Sequence, residues 1–142
     1  MGSAVKAFEL ATSDSPASAR SPKWMMWLGW VLTLLPAALL IMSGTMKLMG
    51  GSELEKGMEQ TGIPLSVATP LGIVEIVSAV IYLVPQTAVL GAILLTGYMG
   101  GAIATHVRLE EPFIVQAIIG VVVWLGIYLR DVRLRQLIPL RR

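Results

Sequence analysis

Apolar positions along the chain fall into four long blocks separated by short polar stretches. The first, 24–46, runs some 23 residues without a charge, enough to cross a bilayer core with modest tilt. Trp24, Trp27 and Trp30 crowd its beginning, as in an interfacial aromatic belt, and Lys47 closes it. The polar stretch GGSELEKGMEQTG follows and reads as a connection between glycine punctuations. A second block covers 65–84. Its start is set either by Pro64 or by Thr69-Pro70, which has the form of an N-cap followed by a first-turn proline. Pro85-Gln86 turns the chain into a third block, 87–105. The fourth, 113–129, is apolar apart from Gln116, with Trp124 and Tyr128 at its far interface.

Continuous apolar runs without strand alternation predict helices, because only helices and closed barrels satisfy their backbone groups in lipid. The expected fold is all-α: a polytopic membrane protein whose four-transmembrane-helix bundle occupies residues 23–130. A polar tail at 1–22, rich in Ser, Ala and Pro, cannot bury enough apolar surface to order itself and is expected to be disordered. The apolar run behind it is about twice a signal-peptide core and lacks a small-residue cleavage site, so the tail is expected to stay attached. Residues 131–142 read as a basic tail.

Composition agrees with the pattern. Of 142 residues, 55% are hydrophobic and 14% charged, too few charges to solvate a water-soluble domain of this size. There is no cysteine, which excludes disulfides, thiolate metal sites and thiol–disulfide exchange. With four spans both termini share one side, and that side collects eight of the eleven basic residues, leaving Lys47, Lys56 and Arg108 opposite. Both termini are therefore expected to be cytoplasmic. The basic tail serves topology on the plain reading, and docking on anionic lipid or an acidic partner on the sharper one. Nucleic acid is not suggested.

Small residues recur at helical spacing in the third block. Ala92, Thr96, Gly100 and Ala104 form one line, and Gly97, Gly101 and Thr105 another. Such lines predict close helix packing in a membrane, with Gly97, Gly100 and Gly101 as the contact points. The same block ends in His106 and Arg108. An up-down topology brings these to the outer rim with Lys47. At about 1.5 Å per residue, Glu75 lies about 16 Å below that rim if its helix starts at Pro64, or about 8 Å if it starts at Pro70. Tyr98 lies about 12 Å below His106. A polar pocket opening outward is expected, with Glu75 and Tyr98 near its floor and Lys47, Thr105, His106 and Arg108 around its mouth.

Within that pocket Glu75, His106 and Tyr98 are the candidates for proton transfer, and Lys47, Thr105 and Arg108 for ligand binding. Each has a plainer alternative. An acidic residue within a span can hold two helices together by a hydrogen bond. A lone histidine at a helix end can bridge the interface. Lys47 and Arg108 can snorkel, and Tyr98 can simply pack. The eight methionines read as core filling without metal-ligand spacing, and no metal site is expected. One histidine excludes a haem held by two histidines of the same chain, although a homo-oligomer supplies two.

Three segments together, SGTMKL at Ser43 to Leu48, LGIVEIVSAVIYLVP at Leu71 to Pro85 and LTGYMGGAIATHVR at Leu95 to Arg108, resemble the DoxX-like family of small four-helix bacterial membrane proteins. The resemblance covers nearly all of the chain after the N-terminal tail. The residues that recur in the family pattern fall on Lys47, Glu75, Gly100, Gly101, His106 and Arg108. It implies a bacterial inner-membrane location and a link to quinone-dependent redox systems whose better-known members act with other subunits. Three functions follow as expectations: a quinone-binding membrane subunit, an enzyme doing acid–base chemistry of the isomerisation type on a lipophilic substrate, or a structural or lipid-binding module.

Overall fold

The computed structural model describes residues 22–137. The expectations for the tails at 1–21 and 138–142 lie outside the described residues. Helix α1 spans Lys23–Met49 and stops at Gly50 and Gly51, whose φ angles of 73° and 120° favour glycine. Helix α2, Ser52–Thr61, follows at once where a connection was expected. A 3-10 turn at Leu65–Val67 leads into α3, Ala68–Leu83, so Pro64 opens the turn while Pro70 sits in the first α-helical turn. Helix α4 spans Ala88–Arg108 and α5 spans Ile114–Arg130. A last short helix, α6, Val132–Leu137, occupies the start of the basic tail, where Asp131 Oδ1 accepts from the backbone N–H of Arg133 at 2.8 Å.

The described residues contain helices and no strand, and the four long helices form an all-α bundle. Helix α1 packs on α3 and α5, and α4 packs on the same two. The core between them is small-residue and aliphatic, with Ala37, Leu40, Ala79, Leu95, Val123 and Ile127 buried around Tyr82. The outward faces are apolar as well. Trp27 is 74% exposed and Val121 66%, which is the pattern of helices solvated by lipid rather than water. By length and composition α1, the 3-10 turn with α3, and α4 can each cross a membrane, and α5 is a shorter apolar helix of 17 residues.

Close helix contact is made by other glycines than those expected. A Cβ added at Gly97, Gly100 or Gly101 meets nothing within 4 Å, so these three do not hold helices together. Their pattern marks faces of α4 that no neighbouring backbone approaches. The close contacts lie elsewhere. Gly91 abuts the backbone of Tyr82, and a Cβ at Gly72 would stand 2.8 Å from the carbonyl oxygen of Gly44. Gly29 and Gly126 let α1 and α5 approach: a Cβ at Gly29 would stand 2.8 Å from the Arg130 backbone nitrogen.

Candidate functional site

The loose face of α4 borders a cavity of about 870 Å³ between α1, α3, α4 and α5. Most of its wall is apolar, with Leu40, Leu71, Met99 and Ile119 among the lining side chains. Gly97 and Gly101 line it too, so their missing side chains leave room. Helix α2 lies over one side through Met58, Thr61 and the following Ile63. Met58 is 7% exposed. The burial of this one residue explains why so polar a segment folds back onto the bundle: Leu54 and Met58, four apart, share one face while the glutamates and Lys56 point to solvent.

The most buried polar side chain of the lining is Glu75, 2% exposed on α3. Its Oε2 accepts from Lys47 Nζ at 2.8 Å and from the Tyr98 hydroxyl at 2.9 Å. Lys47 donates a second bond to Ser43 Oγ at 2.7 Å. Residues 43 and 47 are one helical turn apart on α1, so the lysine reaches back along its own helix before crossing to α3. A carboxylate at this depth is held by one cation and one hydroxyl, the pairing that a buried charge requires. Glu75 and Tyr98 meet at one depth, and Lys47, expected at the mouth, reaches down to join them.

His106 lines the same cavity nearer the end of α4. Its Nδ1 lies 2.9 Å from the Ala102 carbonyl oxygen and its Nε2 lies 3.0 Å from Gln116 Nε2 on α5. The exposed carboxylate of Glu111 stands 3.9 Å from Nε2. Thr105 also lines the cavity, with its hydroxyl bonded to the Gly101 carbonyl at 3.0 Å. Arg108 does not belong to this lining. Its Nη2 donates to the Thr61 carbonyl oxygen at 2.6 Å and so ties α4 to the C-terminal end of α2. A guanidinium there satisfies an end carbonyl and complements the helix dipole, which draws Arg108 away from the mouth to which it was assigned.

Ser43, Gln116 and α2 are the parts sequence reading did not place in the site. Gln116 carried a signal of the same kind as Glu75, a single polar residue in an apolar span. Gly100 faces a second, open groove of about 590 Å³ between α4 and α5, lined by Thr96, Gly120 and Trp124. The groove and the main cavity share Met99 and Gln116.

In arrangement this is an apolar chamber with two polar clusters, Ser43–Lys47–Glu75–Tyr98 and His106–Gln116. It can orient a lipophilic molecule by a few hydrogen bonds and exchange a proton with it. Comparison with curated proteins and with solved structures found no match. A family model, described as the DoxX-like family, matches residues 31–128. That range takes in both polar clusters and reaches into all four long helices, and the chain belongs to the DoxX-like family.

Proposed function

We propose that this protein binds a lipophilic molecule of the quinone class in the cavity, as part of a membrane redox system. The observation that carries the reading is the pair of polar clusters in an otherwise apolar chamber of about 870 Å³. Tyr98 and His106 are eight residues apart on one helix, about 12 Å, which leaves room for a quinoid ring with a hydrogen bond at either end. Lys47 suits one end. An ammonium has three N–H donors, and Ser43 and Glu75 accept two of them. The second groove offers an apolar path for a tail toward lipid. Orientation in the bacterial inner membrane, with both termini cytoplasmic, follows from the distribution of basic residues.

A second reading, acid–base chemistry of the isomerisation type, is favoured by one contact, the 2.9 Å hydrogen bond between Tyr98 and Glu75. There Glu75 is the base and Tyr98 the acid. The experiment that tests the first reading is extraction of the protein with its surrounding lipid into polymer-bounded discs, followed by mass spectrometry of the lipid fraction. Quinone is expected to be enriched over the bulk membrane in the wild type, and enrichment is expected to fall in folded Glu75→Gln. A quinone content equal to that of the bulk membrane in both would defeat the reading.

A further inference from the structure

Helix α2 stands between two hollows. The main chamber of about 870 Å³ borders it, and a cleft of about 720 Å³ opens between it and the end of α1. Ser43, Lys47, Met58 and Thr61 line both spaces, so these four residues form the wall they share. Half of that wall is supplied by α2, and α2 is lightly fastened. Met58 is its one buried residue. Among the described residues a single hydrogen bond joins it to the long helices, from Arg108 Nη2 to the Thr61 carbonyl oxygen. Its other side-chain bonds are internal, Lys56 to Glu53 and Thr61 to the Met58 carbonyl oxygen. Segments with so few buried apolar contacts are the ones that open locally while the rest of a fold stays intact. Gly50 and Gly51 precede the helix and Gly62, with φ 65°, follows it, so both of its ends have main chain that can absorb a rotation.

We propose that α2 is a hinged lid over the chamber at the rim of the bundle, and that Arg108 is its latch. When the lid is closed, Met58 plugs the wall and the Lys47–Glu75 pair is screened from water. When it lifts, chamber and cleft become one space, and water and protons reach that pair from the rim. The charged face of α2 keeps the lid at the membrane surface in either position, because Glu53 and Lys56 are 84% and 67% exposed and belong in water. Arg108 acts through α2 and touches no ligand, so it is a positioning residue. The lid serves the chamber whatever molecule occupies it and does not rest on the quinone reading.

Thiol labelling tests this. The chain has no cysteine, so one introduced thiol reports one place. Gly101→Cys sets it on the chamber wall, where a Cβ meets nothing within 4 Å. In lipid discs a negatively charged thiosulfonate reaches this thiol only from water. Loss of the arginine charge by itself slows such a reagent, so a faster reaction reports opening. Labelling is expected to be slow in the Gly101→Cys parent and about tenfold faster when Arg108→Gln is added, the loss of one charge-assisted hydrogen bond. Met58→Ser removes the plug and is expected to speed labelling at least as much, and it takes the place of Arg108→Gln if that variant does not fold. A thiol at Ala37, in the packed core at 0% exposure, is expected to keep the same rate in all backgrounds. Equal rates at position 101 in the parent and in Arg108→Gln overturn the proposal. So does a rise at position 37 in step with position 101, which means general loosening rather than a lid. Neither result bears on the quinone reading, because no ligand takes part.

Discussion

The two ends of the bundle are built from the same residue types and behave in opposite ways. At the end nearer the described termini, Tyr82 is fully buried and donates to the Val123 carbonyl oxygen at 2.8 Å, and its own carbonyl accepts from Arg130 Nη2 at 3.0 Å. The Arg130 guanidinium lies 4.6 Å from the centre of the Trp30 ring, a cation–π contact. Gly91 and Gly126 let backbone and hydroxyl groups approach until no room remains. At the other end Tyr98 also donates to an oxygen buried in the bundle, but its neighbours on α4, Gly97, Gly100 and Gly101, meet nothing within 4 Å and a cavity opens beside it, while Gly44 and Gly72 keep α1 and α3 close. The same pairing of tyrosine and glycine closes one end and hollows the other. What differs is the acceptor: a backbone carbonyl at the closed end, and at the open end a carboxylate that needs its own cation. Protein stability explains the first. The second holds a charge pair in place at some cost, which points to a use beyond packing.

The strongest way to break the contrast is to overfill the closed end. Gly91→Leu drives a side chain into the Tyr82 backbone, which cannot move aside as a flexible side chain would. A loss of more than about 3 kcal/mol is expected, read as a collapse of the unfolding midpoint in a denaturing-detergent titration followed by tryptophan fluorescence. A midpoint unchanged from wild type would mean that the two ends are packed alike.

The charge pair gives a smaller effect and separates stability from use. Glu75→Leu leaves the Lys47 ammonium beside an apolar wall. Breaking a fully buried pair costs about 3–5 kcal/mol, and Lys47 retains 20% of its side-chain exposure, so about 2 kcal/mol is expected here. The double variant Lys47→Met with Glu75→Leu removes both charges and is expected to return to within about 1 kcal/mol of the wild type, while quinone enrichment stays lost. A double variant that keeps the enrichment would assign the pair to packing alone and move the site to the His106–Gln116 side.

Much of this contrast is legible in the sequence, and the rest is hidden from it for physical reasons. Apolar runs identify the four long helices because lipid leaves the backbone no other choice. Depth arithmetic along two helices was enough to bring Glu75 and Tyr98 together, since rise per residue is nearly constant. Helix α2 was missed because its apolar content is one face two residues wide, Leu54 and Met58, too little for a periodic signal. Arg108 was misassigned because sequence places a residue on a helix end but does not say which carbonyl it will cap, and α2 supplied Thr61. Glycine spacing misled most directly. A line of small residues says that a helix face is thin, and thinness serves a neighbouring backbone at Gly91 and a cavity at Gly97 and Gly101.

That ambiguity sets the smallest effect on stability and a sharp comparison of the two kinds of glycine. Gly101→Ala adds a methyl group where nothing stands within 4 Å, so the fold should tolerate it. Replacing glycine within a helix by alanine contributes about 0.5–1 kcal/mol of backbone stabilisation, and the unfolding midpoint is expected to hold or rise slightly. The change at Gly91 acts in the opposite direction on the same helix. Ligand retention should move the other way: Gly101→Leu fills part of the chamber beside Tyr98 and Thr105, and about 1–3 kcal/mol of binding is expected to be lost to overpacking with the midpoint unmoved. Measuring both quantities on both glycines asks whether α4 has one face for packing and another for a ligand. If Gly101→Leu instead lowers the midpoint as Gly91→Leu does and leaves quinone content alone, the open face is closed in the membrane by another helix, and the cavity is an interface between chains.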